Sequence, residues 1–202
     1  MEFDQAASNA LLDSLGLSDR GSDGYRVLPN GDEFQLIITA TSAFGAWPDI
    51  AEQAARAWQA VGVNTKADIV TRTLLTTRRD ANEHHVMVWD QISAGFIFSA
   101  PQHLIPVSIG FQPGPMYGLY YNTNGAQGIK PLPEFRELLD LFEKGPTVGE
   151  AERIEVGQEI YRRLAEAQYT IGVAGLSPMI QGVIIRKNNL NNVPKQAANS
   201  WP

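Results

Sequence analysis

At 202 residues, with 44% hydrophobic and 19% charged side chains, the chain can bury one sizeable core and lies within ordinary globular composition. Its formal net charge of −6, from 16 Lys plus Arg against 22 Asp plus Glu with no basic stripe, excludes the electrostatic footprint of a nucleic-acid binder. Zero cysteines exclude disulfides and thiolate chemistry without fixing the compartment.

In chain order, Asp4 to Leu17 reads as a short helix. Met1-Glu2-Phe3-Asp4 lacks the basic start and apolar run of a signal peptide, and no window approaches the roughly 18 apolar residues of a membrane helix. From Asp19 to Trp89 the pattern predicts strand, helix, strand, helix, strand. Phe34, Leu36, Ile38 and Ala40 alternate with polar positions, as do Val63, Thr65, Ala67 and Ile69, which is the period of pleated strands. Between them Ile50, Ala54, Ala57, Trp58 and Val61 fall at helical spacing, with Pro48 at the start and Gly62 past the end. A helix crossing between two strands favours parallel pairing, and in such sheets ligands collect beyond the carboxyl ends of the strands. Those ends carry SAFGAWPD, from Ser42 to Asp49, and WDQISAG, from Trp89 to Gly95.

The stretch from Ser93 to Pro133 is rich in glycine and proline, and Pro101, Pro106, Pro113, Pro115, Pro131 and Pro133 are expected to break any long element there. A helix from Glu134 to Lys144 follows, with Phe135, Leu138, Leu139 and Phe142 on one face and Gly145-Pro146 at its end. The next opens with Thr147 and Glu150 at capping-box spacing and is expected to bury Ile154, Tyr161, Leu164 and Ala165. Strands are expected at Tyr169 to Ala174 and Gln181 to Arg186. The fold class is α/β, a mixed sheet flanked by helices.

The residues that can carry chemistry are mostly aromatic: Phe44, Trp47, Trp89, Tyr117, Tyr120 and Tyr121, all expected in loops, extended segments or strand ends. Such rings stack on sugars or peptide side chains and offer polar tips, and core packing is the competing use. Trp58, mid-helix on the apolar face, reads as core. Asp90 at a strand end can pair an amino group or accept from sugar hydroxyls, against a role as a cap or Asx turn. Gln91, Asn122 and Asn124 are neutral donors and acceptors, with turn chemistry as the alternative for the asparagines. Phe44, Trp47, Trp89, Asp90, Gln91, Tyr117, Tyr120 and Asn122 are therefore the expected ligand-binding residues.

Other constellations point away from metals and catalysis. Asp19, Gly21, Asp23 and Gly24 imitate a calcium loop, but Asn30 stands where the twelfth-position glutamate belongs, so the run reads as a polar turn. His84 and His85 are neighbours that point to opposite faces of a strand, and His103 is the only other histidine, so no zinc site is expected. No nucleophile elbow, zinc-protease motif or phosphate-cradling loop occurs. No cofactor, metal or catalytic residue is assigned.

Read together, ALLDSLGLSDRGSDGYRVLPNGDEFQLII (Ala10 to Ile38), the VGVN turn after the helix, RRDANEHHVMVWD, YGLYYNTNGAQGIKPLPEF and the closing NNLNNVP resemble the second, C-terminal lobe of the family 5 extracellular solute-binding proteins. These are oligopeptide, dipeptide and oligosaccharide receptors of ABC importers. The resemblance runs from about Ala6 to Pro194 and rests on the order and spacing of short motifs. It implies a type II periplasmic-binding-protein-like fold, with residues 4–194 as one lobe of a longer two-lobed protein and residues 195–202 leading toward the other lobe. It also implies an export signal and a first lobe on another segment, a location in the periplasm or on the outside of the cell envelope, a peptide or oligosaccharide solute, and transporter permease subunits as partners. Between solutes, YTIGVAGLSP (Tyr169 to Pro178) is nearer to relatives that carry oligosaccharides. A carboxylate-dependent glycoside hydrolase and a protein-interaction module without a small ligand are the alternative functions.

Overall fold

In the computed structural model, residues 4–91 and 97–173 are described. The expected strand at Gln181 to Arg186, the NNLNNVP segment, the tail at residues 195–202, and Ser93 and Gly95 of the second strand-end loop lie outside them.

The first helix, α1 (Gln5–Ser14), starts where Asp4 Oδ1 accepts the backbone N–H of Ala7 at 2.9 Å. None of its residues is buried. Arg26, 2% exposed, ties it to the body: it donates to Asn9 Oδ1 (2.6 Å) and Asp13 Oδ1 (2.5 Å) on α1, to the Leu17 carbonyl, and to the Val61 carbonyl at 2.8 Å. The run from Asp19 to Gly24 is a turn in which Gly21 N–H meets the Tyr25 carbonyl and Asp23 Oδ1 accepts from Tyr25 N–H.

The strands stand where the alternation placed them, although residues 38–41 are all buried and Ile69 is 40% exposed. β1 (Gln35–Thr41) pairs in parallel with β2 (Asn64–Val70), Ile38 opposite Ala67, and on its other side with β3 (Val86–Met87), Ile38 opposite Val86. The order is β2-β1-β3. Helix α2 (Trp47–Gln59) supplies the crossover from β1 to β2, and α3 (Arg72–Asp80), capped by the Thr71 hydroxyl, links β2 to β3. Ile38 and Ala40 pack on Ala51 and Ala55 of α2, with Ala54, Trp58, Ala67, Val86 and Val88 around them. The small alanines let helix and strand approach closely, so the buried stripe of α2 is centred on Ala51 and Ala55, while Trp58 takes its expected place against the core.

A second core gathers on the helical half. Ile97, Leu104, Ile105 and Phe111 pack with Phe135, Leu138 and Leu139 of α5 (Pro133–Lys144) and Val156 and Ile160 of α6 (Glu150–Ala167). Each fully buried side chain of this size contributes about 1.5–3 kcal/mol.

Four expectations need correction. The Gly/Pro-rich stretch holds a helix, α4 (Pro115–Asn122), so Tyr117, Tyr120 and Tyr121 are helical and not on an extended segment. Pro115 sits in its first turn, where a preset φ favours the helix, and Gly118 lies so close to Ser108 that an added Cβ would meet its carbonyl oxygen. The expected capping box fails: Thr147 lies in a 3₁₀ turn (Gly145–Thr147) and its hydroxyl donates to the Lys144 carbonyl, while Gly149 stands at the N-cap of α6. Ile154 is 56% exposed and Ala165 is exposed, because α6 presents Val156, Gly157 and Ile160 to the core, with Phe98 lying against Gly157. Tyr169 to Val173 form no strand.

Candidate solute-binding edge

Parallel strands deliver their following loops to one edge, and the described aromatic residues of the strand-end loops meet there. Phe44 lies in the turn after β1, where Gly45 takes a positive φ of 49°. Trp47 is the first residue of α2, and Trp89 stands two residues beyond β3. Their ring centroids are 4.9 Å apart for Phe44 and Trp47, 5.1 Å for Trp47 and Trp89, and 6.0 Å for Phe44 and Trp89. Tilted and edge-on pairs at these distances add about 0.5–1.5 kcal/mol each beyond area burial. All three rings are half-buried, so the cluster is anchored and still offers surface.

A fourth element reaches the same cluster. Arg72, the first residue of α3, holds its guanidinium carbon 5.0 Å from the centre of the Phe44 ring, within cation–π range. The sequence reading missed it, since only the fold brings residues 44 and 72 together. Asp68, four residues earlier, is taken by Arg78 at 2.6 Å, and Arg72 has no acceptor among the described residues.

Asp90 and Gln91 follow Trp89 and are exposed. The Asp90 charge is felt by His103, which is only 8% exposed. Burial lowers the His103 pKa from 6.5, Asp90 opposes that, and Arg79 reinforces it. His84 is lowered as well, chiefly by burial, against the effect of its contact with the Gln112 carbonyl. That carbonyl accepts at 3.0 Å, so His84 Nε2 carries the proton. His84 Nδ1, His103 Nδ1 and Gln112 Nε2 are buried with no partner.

The other expected residues sit elsewhere, on α4. Tyr117 packs its ring 5.2 Å from that of Phe135, at the margin of the helical core. Tyr120 and Asn122 line a cleft of about 590 Å³ between α4 and α5, with Lys130, Arg136 and Asp140 on its walls. Tyr121, also lining it, donates its hydroxyl to Glu143 at 3.0 Å, and burial, then that contact, raises its pKa. The expected residues thus divide into a strand-end group (Phe44, Trp47, Trp89, Asp90, Gln91) and an α4 group (Tyr117, Tyr120, Asn122).

The α/β layout matches solved structures. An oligopeptide-binding protein OppA superposes with a TM-score of 0.69 at 25% sequence identity, over 83% of this chain and 29% of that chain. The fold is that of the family 5 solute-binding proteins. The periplasmic binding protein MelB of Agrobacterium fabrum C58, solved with stachyose, has a TM-score of 0.70 at 16% identity over 84% of this chain and 25% of its own. The oligopeptide-binding protein AppA of Bacillus subtilis, solved with a nonapeptide, has a TM-score of 0.60 at 18% identity over 82% of this chain and 30% of its own. The chain therefore spans less than a third of the length of these solute-binding proteins. No family model and no curated protein matches it.

Proposed function

We propose that the chain is one lobe of an ABC-importer receptor that captures a peptide or oligosaccharide between two lobes and delivers it to the membrane permease. The observation that carries the reading is the convergence of Phe44, Trp47 and Trp89 at the carboxyl edge of a parallel sheet. It is supported by the fold shared with peptide and oligosaccharide receptors. Half-buried rings give a solute apolar faces to stack on, and the exposed Asp90 and Gln91 beside Trp89 give it hydrogen-bonding groups. The rings of the strand-end group and the Tyr120 and Asn122 side chains of α4 are the proposed contacts, and Tyr117 acts through its packing on α5.

In this reading the mechanism is closure about a hinge. A solute that touches both lobes has differential affinity for the closed state, and that difference sets how far the equilibrium shifts. The importer reads the closed form at the outer face of the membrane, in the periplasm or the cell-envelope exterior. The chain works as a binder and not as an enzyme, because stacking and hydrogen bonds hold a ligand without transforming it. One lobe supplies about half the contacts, so this chain by itself binds in the millimolar range.

A thermal-shift screen of the protein that carries this lobe, against one pool of short peptides and one of oligosaccharides, tests the reading. Ligand at about a hundred times its dissociation constant adds roughly 2.7 kcal/mol of stability. A rise with one pool is expected and identifies the solute class, whereas a flat response to both removes the receptor reading.

A further inference from the structure

Most of the described arginines have an acceptor. Arg26, Arg56, Arg78, Arg79, Arg162 and Arg163 pair with carboxylates, and Arg20 and Arg153 donate to carbonyls. Arg72 and Arg136 alone have no acceptor among the described residues. Arg136 lies on the α4–α5 cleft, where Asp140 and Glu143 also stand. Arg72 is different, because its guanidinium lies over Phe44 at the margin of the ring cluster.

We propose that Arg72 is a specificity-determining residue of the ring cluster and that the solute brings a carboxylate to it. The inference rests on the solute-binding reading and narrows it. A guanidinium is a rigid planar fork that matches a carboxylate with two parallel hydrogen bonds. The cation–π contact with Phe44 holds the guanidinium at the margin of the cluster, where its N–H groups have no acceptor among the described residues. A solute ring lying on Trp47 and Trp89 then places an acidic substituent within reach of Arg72. The overall charge of −6 works against an anionic solute at long range. Screening confines that repulsion to about 8 Å at physiological salt, so the nearest fixed cation decides. Asp90, on the Trp89 side of the cluster, repels a carboxylate there and so gives the site a polarity, acid toward Arg72 and neutral or amino groups toward Asp90.

The chemistry is a carboxylate, and two sources present one beside a stackable group: a uronic-acid oligosaccharide and the C-terminus of a short peptide. Titrations of this chain followed at the indole N–H resonances of Trp47 and Trp89 separate them. The probes are trigalacturonate and neutral galactotriose, and an aromatic tripeptide and its C-terminal amide. The expected result is a saturable shift in the millimolar range from one acidic probe, about tenfold weaker from its neutral counterpart. Arg72→Gln abolishes that preference and leaves the weak neutral response, and Arg72→Lys restores part of the preference through charge alone. The side chain is exposed, so neither variant threatens folding. Equal responses to acidic and neutral probes, or a preference that survives Arg72→Gln, overturn the inference and leave the solute-binding reading standing. Silence at both indoles with every probe up to a few tens of millimolar also overturns it, and the thermal-shift screen then judges the wider reading independently.

Discussion

A tryptophan at a strand end is visible in a sequence, but whether it meets other rings is not. Alternation fixed where β1 and β2 lie, and the parallel crossover placed Phe44, Trp47 and Trp89 at one edge. Their 4.9 to 6.0 Å spacing and the guanidinium of Arg72 became visible only in three dimensions. The histidines are a similar case. His84 and His103 were read as poor metal ligands, and the structure makes them a half-buried and a buried ring whose pKa values burial lowers from 6.5. Because the folded state resists protonation that the unfolded chain accepts, the unfolded chain binds more protons below pH 6.5, and stability must fall with falling pH. The melting temperature is therefore expected to be flat above about pH 7. It should drop between 6.5 and 5 in the native chain and drop less in His103→Gln. Identical profiles for the two proteins would rule out His103 as the source.

At the level of elements, long periodic segments were legible and irregular ones were not. α2, α3 and α5 follow from period and end signals. α4 hid behind a high proline count, because Pro115 begins the helix instead of ending one. The rotation of α6 was hidden too. Its apolar residues allow two faces, and the choice falls to Val156 and Ile160, which pack on the helical core with Phe135, Leu138 and Leu139. Neither answer is written in local propensity. Glycine at 118 is justified only by a neighbour ten residues back, since its missing Cβ makes space for the Ser108 backbone. Gly118→Ala is helix-favouring by itself, yet it is expected to destabilise by about 1–3 kcal/mol through overpacking, read as a lower denaturant midpoint. A neutral or stabilising effect would mean that α4 does not press on Ser108.

At the scale of the molecule, the described residues are built on two apolar centres, a small one between α2 and the sheet and a larger one around α5 and α6. α1 belongs to neither, for it buries no residue and leaves Leu11 and Leu15 exposed at 66% and 71%. What holds it is the Arg26 guanidinium, bonded at one end to Asn9, Asp13 and the Leu17 carbonyl and at the other to Val61. A helix attached by one polar bolt opens as a unit, at a free energy below that of global unfolding. Amides of α1 are thus expected to exchange with solvent well before those of β1, and Arg26→Ala should cost about 3 kcal/mol, by stranding buried carbonyls and freeing the helix. Protease cleavage would then begin between Ser14 and Asp19, separating α1 from an otherwise intact body. Residues 4–17 thus behave as a detachable strap whose fastening can be undone by one substitution.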